Sequence, residues 1–261
     1  MDQEALVKLS KDMKAASSTM TRNEARYLLS QYLTMQDNRK AADQKALKME
    51  ERAKGEPHAV LQWVSDNALA LEKQILGALK AFAESQHMGR WAMDIYGIGP
   101  VVAAGLLAHV DIEKCPTVGH LWAFMGYDPS KKWEKGGKRP HNAALKQIGY
   151  YAGECFVKCS KSPYRALYDS RKEYEQGKNE RGEYAELAAK VATDRPTHAQ
   201  IKTYKAGKLP DGHIHSRCKR YAVKQFIADW WAEAYRDHFK KEPPLPYPIA
   251  ILGHAHLRKA A

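Results

Sequence analysis

The sequence has 261 residues, and its content of 44% hydrophobic and 10% aromatic residues excludes an intrinsically disordered chain. It carries 42 Lys and Arg against 30 Asp and Glu, and the formal net charge of +12 favours a polyanionic partner, either nucleic acid or an acidic membrane surface. No apolar run reaches the roughly 18 residues that a spanning helix needs, and the N-terminal stretch is too polar for a secretory signal. We therefore expect a cytoplasmic protein without a membrane partner.

Two long amphipathic helices are predicted in the first third of the chain. Thr21 and Glu24 have the spacing of a capping box, and apolar residues then recur at alternating spacings of three and four, interrupted at Arg39. Gly55 and Pro57 end this helix, and a second apolar series of the same rhythm follows. At about 1.5 Å per residue, each helix would be roughly 45 Å long.

We interpret residues 21–87 as a long antiparallel coiled-coil hairpin that follows an N-terminal segment, 1–20, and joins two copies of the chain into a homodimer. The alternative is a pair of ordinary helices in a globular bundle. The residues assigned to the dimer contact lie on the two apolar seams: Leu28, Tyr32, Met35, Met49, Leu61, Val64, Leu71 and Ile75.

Shorter helices separated by Gly and Pro are predicted from residue 88 to the end, and strand alternation is nearly absent, so the fold class is all-α. The predicted helices run from Trp91 to Tyr96, Pro100 to Val110, Val118 to Met125, Asn142 to Ser160 and Ser216 to Lys240. The segment 163–215 is polar and is interpreted as a partly helical insertion. The proline-rich tail that follows residue 241 is expected to form an extended strap.

A Gly-X-Gly-Pro turn separates two of the predicted helices, with Pro100 at the first helical position. This is the layout of a helix-hairpin-helix phosphate contact. Gly97 and Gly99 leave the backbone open to close approach, and the amides that begin the next helix carry partial positive charge. We expect a phosphate here, and a positive φ at Gly99; the alternative is a purely structural turn.

A basic, glycine-containing loop leads into the helix predicted from Asn142, and its charge is nearly unbalanced by acids after Glu134. Trp133 could stack a base while the cations hold a nucleic-acid backbone, although a solvated surface loop is the alternative. Further cations crowd the first turns of the helix predicted from Ser216. The candidate nucleic-acid-binding residues are Gly97, Gly99, Lys131, Lys132, Trp133, Lys135, Lys138, Arg139, His141, Lys146, Arg217, Lys219, Arg220 and Lys224.

No metal site, cofactor or catalytic residue is predicted. Cys155 and Cys159 share an apolar helix face and are interpreted as buried thiols, while His213, His215 and Cys218 lack the spacing of a zinc motif. The acidic residues are scattered on amphipathic helices and do not form the converging set that a two-metal nuclease needs. We therefore expect binding rather than catalysis.

Four features between Trp91 and Ser160 carry a resemblance to a known family: the Gly-Ile-Gly-Pro hairpin, the Leu-Ala near-repeat after it, the segment "AFMGYDP" and the helix start "KRPHNAALKQ". Together they resemble the C-terminal domain of the insertion-sequence transposases that are guided by a bridge RNA. Those transposases also have a RuvC-like nuclease domain, whose place is taken here by the hairpin. They carry a catalytic serine ahead of the loop glycine, where this sequence has Trp133 and Glu134.

A coiled coil followed by such a helical domain is also similar to the Nop-domain proteins of box C/D ribonucleoproteins and to the Tas proteins of tandem interspaced guide RNA systems. The resemblance implies a nuclease-free member of the Tas group from a bacterium or phage, with a Nop-like domain at 88–261. The implied partners are a structured guide RNA, target DNA, a second copy of the chain, and a separate nuclease or effector. A transposase-derived DNA-processing enzyme and a sequence-independent DNA scaffold are the alternatives.

Overall fold

The computed structural model describes residues 8–53, 59–128, 130, 133–134 and 136–245. Helix accounts for 75% of these residues and no strand occurs among them, which confirms the all-α fold class. The chain forms two compact units, one of Met1–Asp94 with Gly99–Asp111 and the other of Ile95–Ile98 with Ile112–Ala261. This grouping differs from the predicted boundary at residue 88, because two short helices after the hairpin group with it.

The first unit is built on two long antiparallel helices. Its helices are α1 (Lys11–Ala16), α2 (Arg22–Ala53), α3 (Ala59–Glu84), α4 (His87–Asp94) and α5 (Pro100–His109). The capping box forms before α2, since the backbone N–H of Thr21 donates to Glu24 Oε2 at 2.7 Å and the backbone N–H of Glu24 donates to Thr21 Oγ1 at 3.3 Å. The predicted turn around Gly55 lies outside the described residues, and a coiled-coil geometry for the pair stays a prediction.

Helix α5 forms the centre of this unit and packs against α2, α3 and α4. Its residues Val102–Ala108 are all buried, and the small side chains among them allow neighbouring helices to approach closely. Tyr32 of α2 and Ile75 of α3 are buried within the same unit. These two predicted dimer residues therefore contribute to the core of a single copy.

The other predicted dimer residues differ in their exposure. Val64 is 40% exposed. The side chain of Met49 lies outside the described part of the chain. Four members are partly buried: Leu28, Met35, Leu61 and Leu71.

Arg39, the interruption in the apolar seam of α2, binds a buried carboxylate of α3. Its Nε lies 2.7 Å from Glu72 Oε2, and Gln36 Nε2 donates to the other carboxylate oxygen at 3.3 Å. Burial by itself raises the pKa of Glu72, but the hydrogen bonds from Arg39 and Gln36 outweigh it and hold the pKa below its usual value. The charged pair therefore links the two long helices in one register.

The second unit contains the remaining helices, which gather around one long helix. They are α6 (Val118–Phe124), α7 (Ala143–Lys158), α8 (Pro163–Glu180), α9 (Ala185–Asp194), α10 (Ile201–Lys205) and α11 (Asp211–Phe239). Helix α11 packs against α6, α7 and α8. The rings of Phe156, Tyr164 and Phe226 form its core, with centroids 4.7 to 5.4 Å apart.

Most predicted helices lie close to their expected bounds, but the polar segment 163–215 differs from the prediction. It consists largely of helices α8, α9 and α10, and α11 begins at Asp211 rather than at Ser216. Pro163 stands at the start of α8 and Pro210 caps α11, which are favourable positions for proline at a helix N-terminus. Within the described ranges, none of the helices combines the length and apolar character needed to cross a membrane.

We expect the substitution Glu72→Ala to lower the free energy of unfolding by about 2 kcal/mol, because Arg39 would lose its carboxylate in a partly buried position. The pKa of Glu72 is depressed in the folded state, so its contribution is present above the unfolded pKa and is lost as the pH falls through the folded one. Urea denaturation should therefore separate parent and variant at neutral pH and bring them together in acid.

The control is Glu84→Ala, which removes an exposed carboxylate paired with Lys80 at 3.4 Å one turn away. Such a pair contributes about 0.5 kcal/mol or less. Equal destabilisation by the two substitutions would show that the buried pair adds nothing specific.

Candidate nucleic-acid interface

The basic loop is closed at its base, where the backbone N–H of Asn142 donates to the carbonyl of Phe124 at 2.8 Å. The same residue caps α7, because its side-chain oxygen accepts from the backbone N–H of Leu145 at 3.0 Å. The end of α6 and the start of α7 are thus held side by side, with the loop between them. Lys131, Lys132 and Lys135, which the sequence assigns to this loop, lie outside the described residues.

Trp133 presents an exposed indole ring within the loop, with 48% of the residue accessible to solvent. Its Nε1–H donates to the carbonyl of Gly137 at 2.8 Å, and the guanidinium carbon of Arg139 lies 5.6 Å from the ring centroid. Lys138 and Arg139 are exposed. Because the polar atom of the ring already has a partner, the ring offers its faces for stacking, with cations close by.

His141 and Lys146 meet at Gly126, at the end of α6. A Cβ atom at that position would lie 2.8 Å from His141 Cγ and 3.2 Å from Lys146 Cδ, and Gly126 has a φ of 75°. Burial lowers the pKa of His141, and the charges of Lys146 and Arg139 lower it further. The charged form of His141 is therefore disfavoured by burial and by the two neighbouring cations.

Helix α11 contributes two cations on the side that faces α6 and the loop. The Nζ of Lys224 lies 4.1 Å from the ring centroid of Trp122, whose Nε1–H donates to the Lys224 carbonyl at 3.2 Å. Burial raises the pKa of Tyr127 to about 12, and the charge of Arg220 opposes this rise. We call the set His141, Lys146, Arg220 and Lys224, with Trp122 and the described loop residues 133–134 and 136–139, the basic face.

The other two predicted cations of α11 are already committed to carboxylates. Arg217 Nε lies 2.7 Å from Glu175 Oε2, and the guanidinium carbon stands 4.9 Å from the Tyr184 ring centroid. Lys219 binds Glu154 and lies 5.0 Å from the Tyr150 ring centroid. Their predicted contact with phosphate would require displacement of a carboxylate.

Sequence reasoning missed these acidic partners, which lie on α7 and α8, far from α11 along the chain. It also missed Trp122, which reads as one more apolar residue of a short helix. Rotation around the helix gives only part of the answer: at 100° per residue, Arg220 and Lys224 share a stripe that excludes Lys219 but includes Arg217.

Gly97 adopts a φ of 98°, and a Cβ there would lie 3.1 Å from both Cβ and Sγ of Cys159. Cys159 is the C-cap of α7, whereas Lys146 belongs to its first turn, so the two points lie about 20 Å apart along the helix axis. The structure therefore does not bring Gly97 to the basic face.

Gly99 is the N-cap of α5 and has an extended backbone, with φ −106° and ψ 179°. A Cβ at this position would have no atom within 4 Å. The expectation of a positive φ at Gly99 is wrong, because Gly97 provides the left-handed residue of the turn. A phosphate contact at the amides after Gly99 stays a prediction.

The cysteine and histidine residues considered as metal ligands are spread over separate contacts. Cys155 and Cys159 are only partly buried, and burial raises the pKa of Cys155. His213 pairs with Tyr204 Oη at 3.1 Å. Among the residues that the structure describes, no group of three or more His, Cys, Asp or Glu could hold a metal ion.

Comparison with known proteins adds no relative: scans of protein-family models, curated proteins and solved structures return no match to this chain. The resemblance to the bridge-RNA transposases, the Nop-domain proteins and the Tas proteins stays an expectation from short sequence motifs. The geometry of the basic face is independent of that resemblance.

We expect Gly97→Ser to lower the free energy of unfolding by about 1 to 2 kcal/mol, because a side chain there meets Cys159 and forces an unfavourable φ. The matched substitution Gly99→Ser should leave stability unchanged or raise it slightly, since serine is a favoured N-cap residue in an extended conformation. Thermal and urea denaturation of both variants would measure the difference. Equal effects at the two glycines would contradict the assignment of the strained position to Gly97.

Proposed function

We propose that this chain binds a structured guide RNA through the basic face and forms a ribonucleoprotein that is directed to DNA without cleaving it. The observation that carries the proposal is that Lys146, Arg220 and Lys224 lie around the end of α6, next to the loop that bears the exposed ring of Trp133. Cations that follow a phosphate backbone, combined with exposed rings that stack bases, are typical of nucleic-acid-binding grooves.

The exposed indole favours RNA over regular duplex DNA as the directly bound partner. A base must be unstacked before it can lie on Trp133, and unstacked bases are characteristic of the loops, bulges and single strands of folded RNA. The resemblance to guide-RNA systems supports the further step, in which base pairing reads the target while the protein contacts backbone and shape. Any cleavage would then come from a separate nuclease or effector protein.

We propose in addition that the α2–α3 hairpin joins two copies of the chain. Apolar side chains near the start of α3 are exposed, with Val60 at 57%, Trp63 at 50% and Val64 at 40% accessibility. Leu47 of α2 is also exposed. Contiguous exposed apolar residues at the end of long paired helices mark a contact surface, and a second identical hairpin offers a complementary one.

The test of the proposed function is to purify the full chain under stringent conditions and to sequence the nucleic acid that co-purifies. A defined RNA species supports the proposal, and its absence contradicts it. Incubation with labelled DNA and Mg²⁺, with and without that RNA, tests the second part. Cleavage that disappears on chelation would contradict binding without catalysis and favour a DNA-processing enzyme.

Replacement of Lys138, Arg139 and Lys146 by Gln should weaken binding of the co-purified RNA and flatten its salt dependence. Each lost phosphate contact removes about 0.7 from the slope of log K against log salt for a single strand, or roughly 2 for three contacts. Filter binding over a salt series measures the slope.

The control carries the same charge change on exposed lysines of the first unit, Lys11, Lys45 and Lys73 replaced by Gln. It should alter the slope far less than the variant on the basic face. Similar slopes for the two triple variants would mean that net charge, rather than the basic face, attracts the RNA.

For the dimer, we expect the double substitution Trp63→Gln and Val64→Gln to convert a dimer into a monomer in light scattering, because it removes exposed apolar area from the proposed contact. Tyr27→Gln is the control, since this aromatic residue of α2 is 67% exposed but lies near the opposite end of the hairpin. It should leave the dimer intact. A monomeric parent chain, with and without RNA, would refute dimerisation.

A further inference from the structure

A polar cleft lies in the second unit, beside the basic face. It is a cleft of about 930 Å³ lined by residues from the end of α9, from α10 and from the first turns of α11. Of the predicted binding residues, Arg220 alone is among those that line it. The cleft belongs to the segment that the sequence describes only as a polar insertion.

Three cations that are not hydrogen-bonded to a carboxylate of the described residues line this cleft. The side chains of Arg195, Lys208 and Arg220 have no ion pair or hydrogen bond within the described ranges of the chain. By contrast, Arg217 and Arg171 of the same unit are both bound to Glu175. The hydrogen-bond donors of these three side chains are therefore available to a ligand.

One wall of the cleft consists of rings that hold one another in place. The ring centroids of His198 and Tyr204 lie 5.3 Å apart at an interplanar angle of 83°, and Tyr204 Oη lies 3.1 Å from His213 Nδ1. His198 Nδ1 accepts from the backbone N–H of Gln200 at 3.0 Å, which orients the ring. Burial lowers the pKa of His213, and Arg217 and Arg220 lower it further.

The lining also includes the carboxylates of Asp194 and Asp211. A bare inorganic anion would fill little of the volume and would meet these carboxylates as well as the cations. A nucleotide suits the mixture better, because its phosphate needs donors while its sugar hydroxyls and base amino groups need acceptors. The volume lies within the range of about 300 to 1,000 Å³ that is usual for small-molecule pockets.

We propose that this cleft binds a single ribonucleotide, with its phosphate on Arg195, Lys208 and Arg220, its sugar towards the carboxylates, and its base against the wall of His198 and Tyr204. The nucleotide is either a free monophosphate or one unstacked residue of the bound RNA. The second case rests on the proposed function, whereas the first does not. The chemistry recognised is the same in both.

The first arm of the test is calorimetric titration of the full chain, freed of nucleic acid, with AMP, GMP, CMP and UMP, and with adenosine as the ligand that lacks phosphate. If the source is a free nucleotide, a monophosphate binds and adenosine binds at least tenfold more weakly. The double substitution Arg195→Gln and Lys208→Gln should weaken the affinity for the monophosphate by at least tenfold and by up to about a hundredfold, since each of the two lost charge-assisted hydrogen bonds costs about tenfold.

The second arm measures the binding of the co-purified RNA to the same double variant. If the source is a residue of the RNA, the free monophosphates do not bind, and the double variant binds the RNA roughly tenfold more weakly. The control for both arms is Lys190→Gln with Lys202→Gln, two exposed lysines of α9 and α10 that do not line the cleft. Circular dichroism confirms that each variant retains its helix content.

The proposal is overturned if the Arg195 and Lys208 variant matches the control in both arms. A chain that binds monophosphates but carries no RNA would overturn the proposed function and leave the nucleotide cleft standing. A chain that carries RNA but binds no monophosphate, and whose double variant binds the RNA as tightly as the parent, would overturn the nucleotide cleft and leave the proposed function standing. The two failures are therefore distinguishable.

Discussion

The second unit depends on one buried carboxylate. Glu175 of α8 is 1% exposed and accepts from Arg171 Nε at 2.8 Å, Arg217 Nε at 2.7 Å and Tyr184 Oη at 2.5 Å. Burial by itself raises the pKa of Glu175, but the hydrogen bonds from Arg217 and Tyr184 outweigh it and hold the pKa below its usual value. Loss of either member of such a pair would leave an uncompensated buried charge, which is a large destabilisation. The first turns of α11 are thereby fixed against α8, and with them the positions of Arg220 and Lys224.

Local signals in the sequence predict much of this fold. The capping box at Thr21, the proline at the start of α5 and the helix start near Asn142 are each contained within a few residues, and each forms as expected. The buried carboxylates could not be predicted in the same way. Glu72 and Glu175 read as ordinary solvent-facing residues of amphipathic helices, because their cationic partners stand far away in the chain and only tertiary packing brings them together.

The interface shows the same division between what sequence can and cannot reveal. Composition predicts an excess of positive charge, but it does not distinguish cations that stabilise the fold from those that are available to a partner. Arg217 and Lys219 belong to the first group through Glu175 and Glu154. Arg195 and Arg220, with no such partner in the described ranges, belong to the second. The cations that remain available to a partner are thus recognised only after those used in packing have been set aside.

Arg220 belongs to both the basic face and the cleft, and this has a thermodynamic consequence. One guanidinium has a fixed set of donors, so it cannot serve an anion on each side as well as it serves either one. Occupation of one surface must then change the free energy of binding at the other, and by linkage the effect is reciprocal and equal in size. A single side chain would thus couple the two surfaces. A small ligand in the cleft would change the affinity of the basic face for a polymer, and the polymer would change the affinity of the cleft for the small ligand.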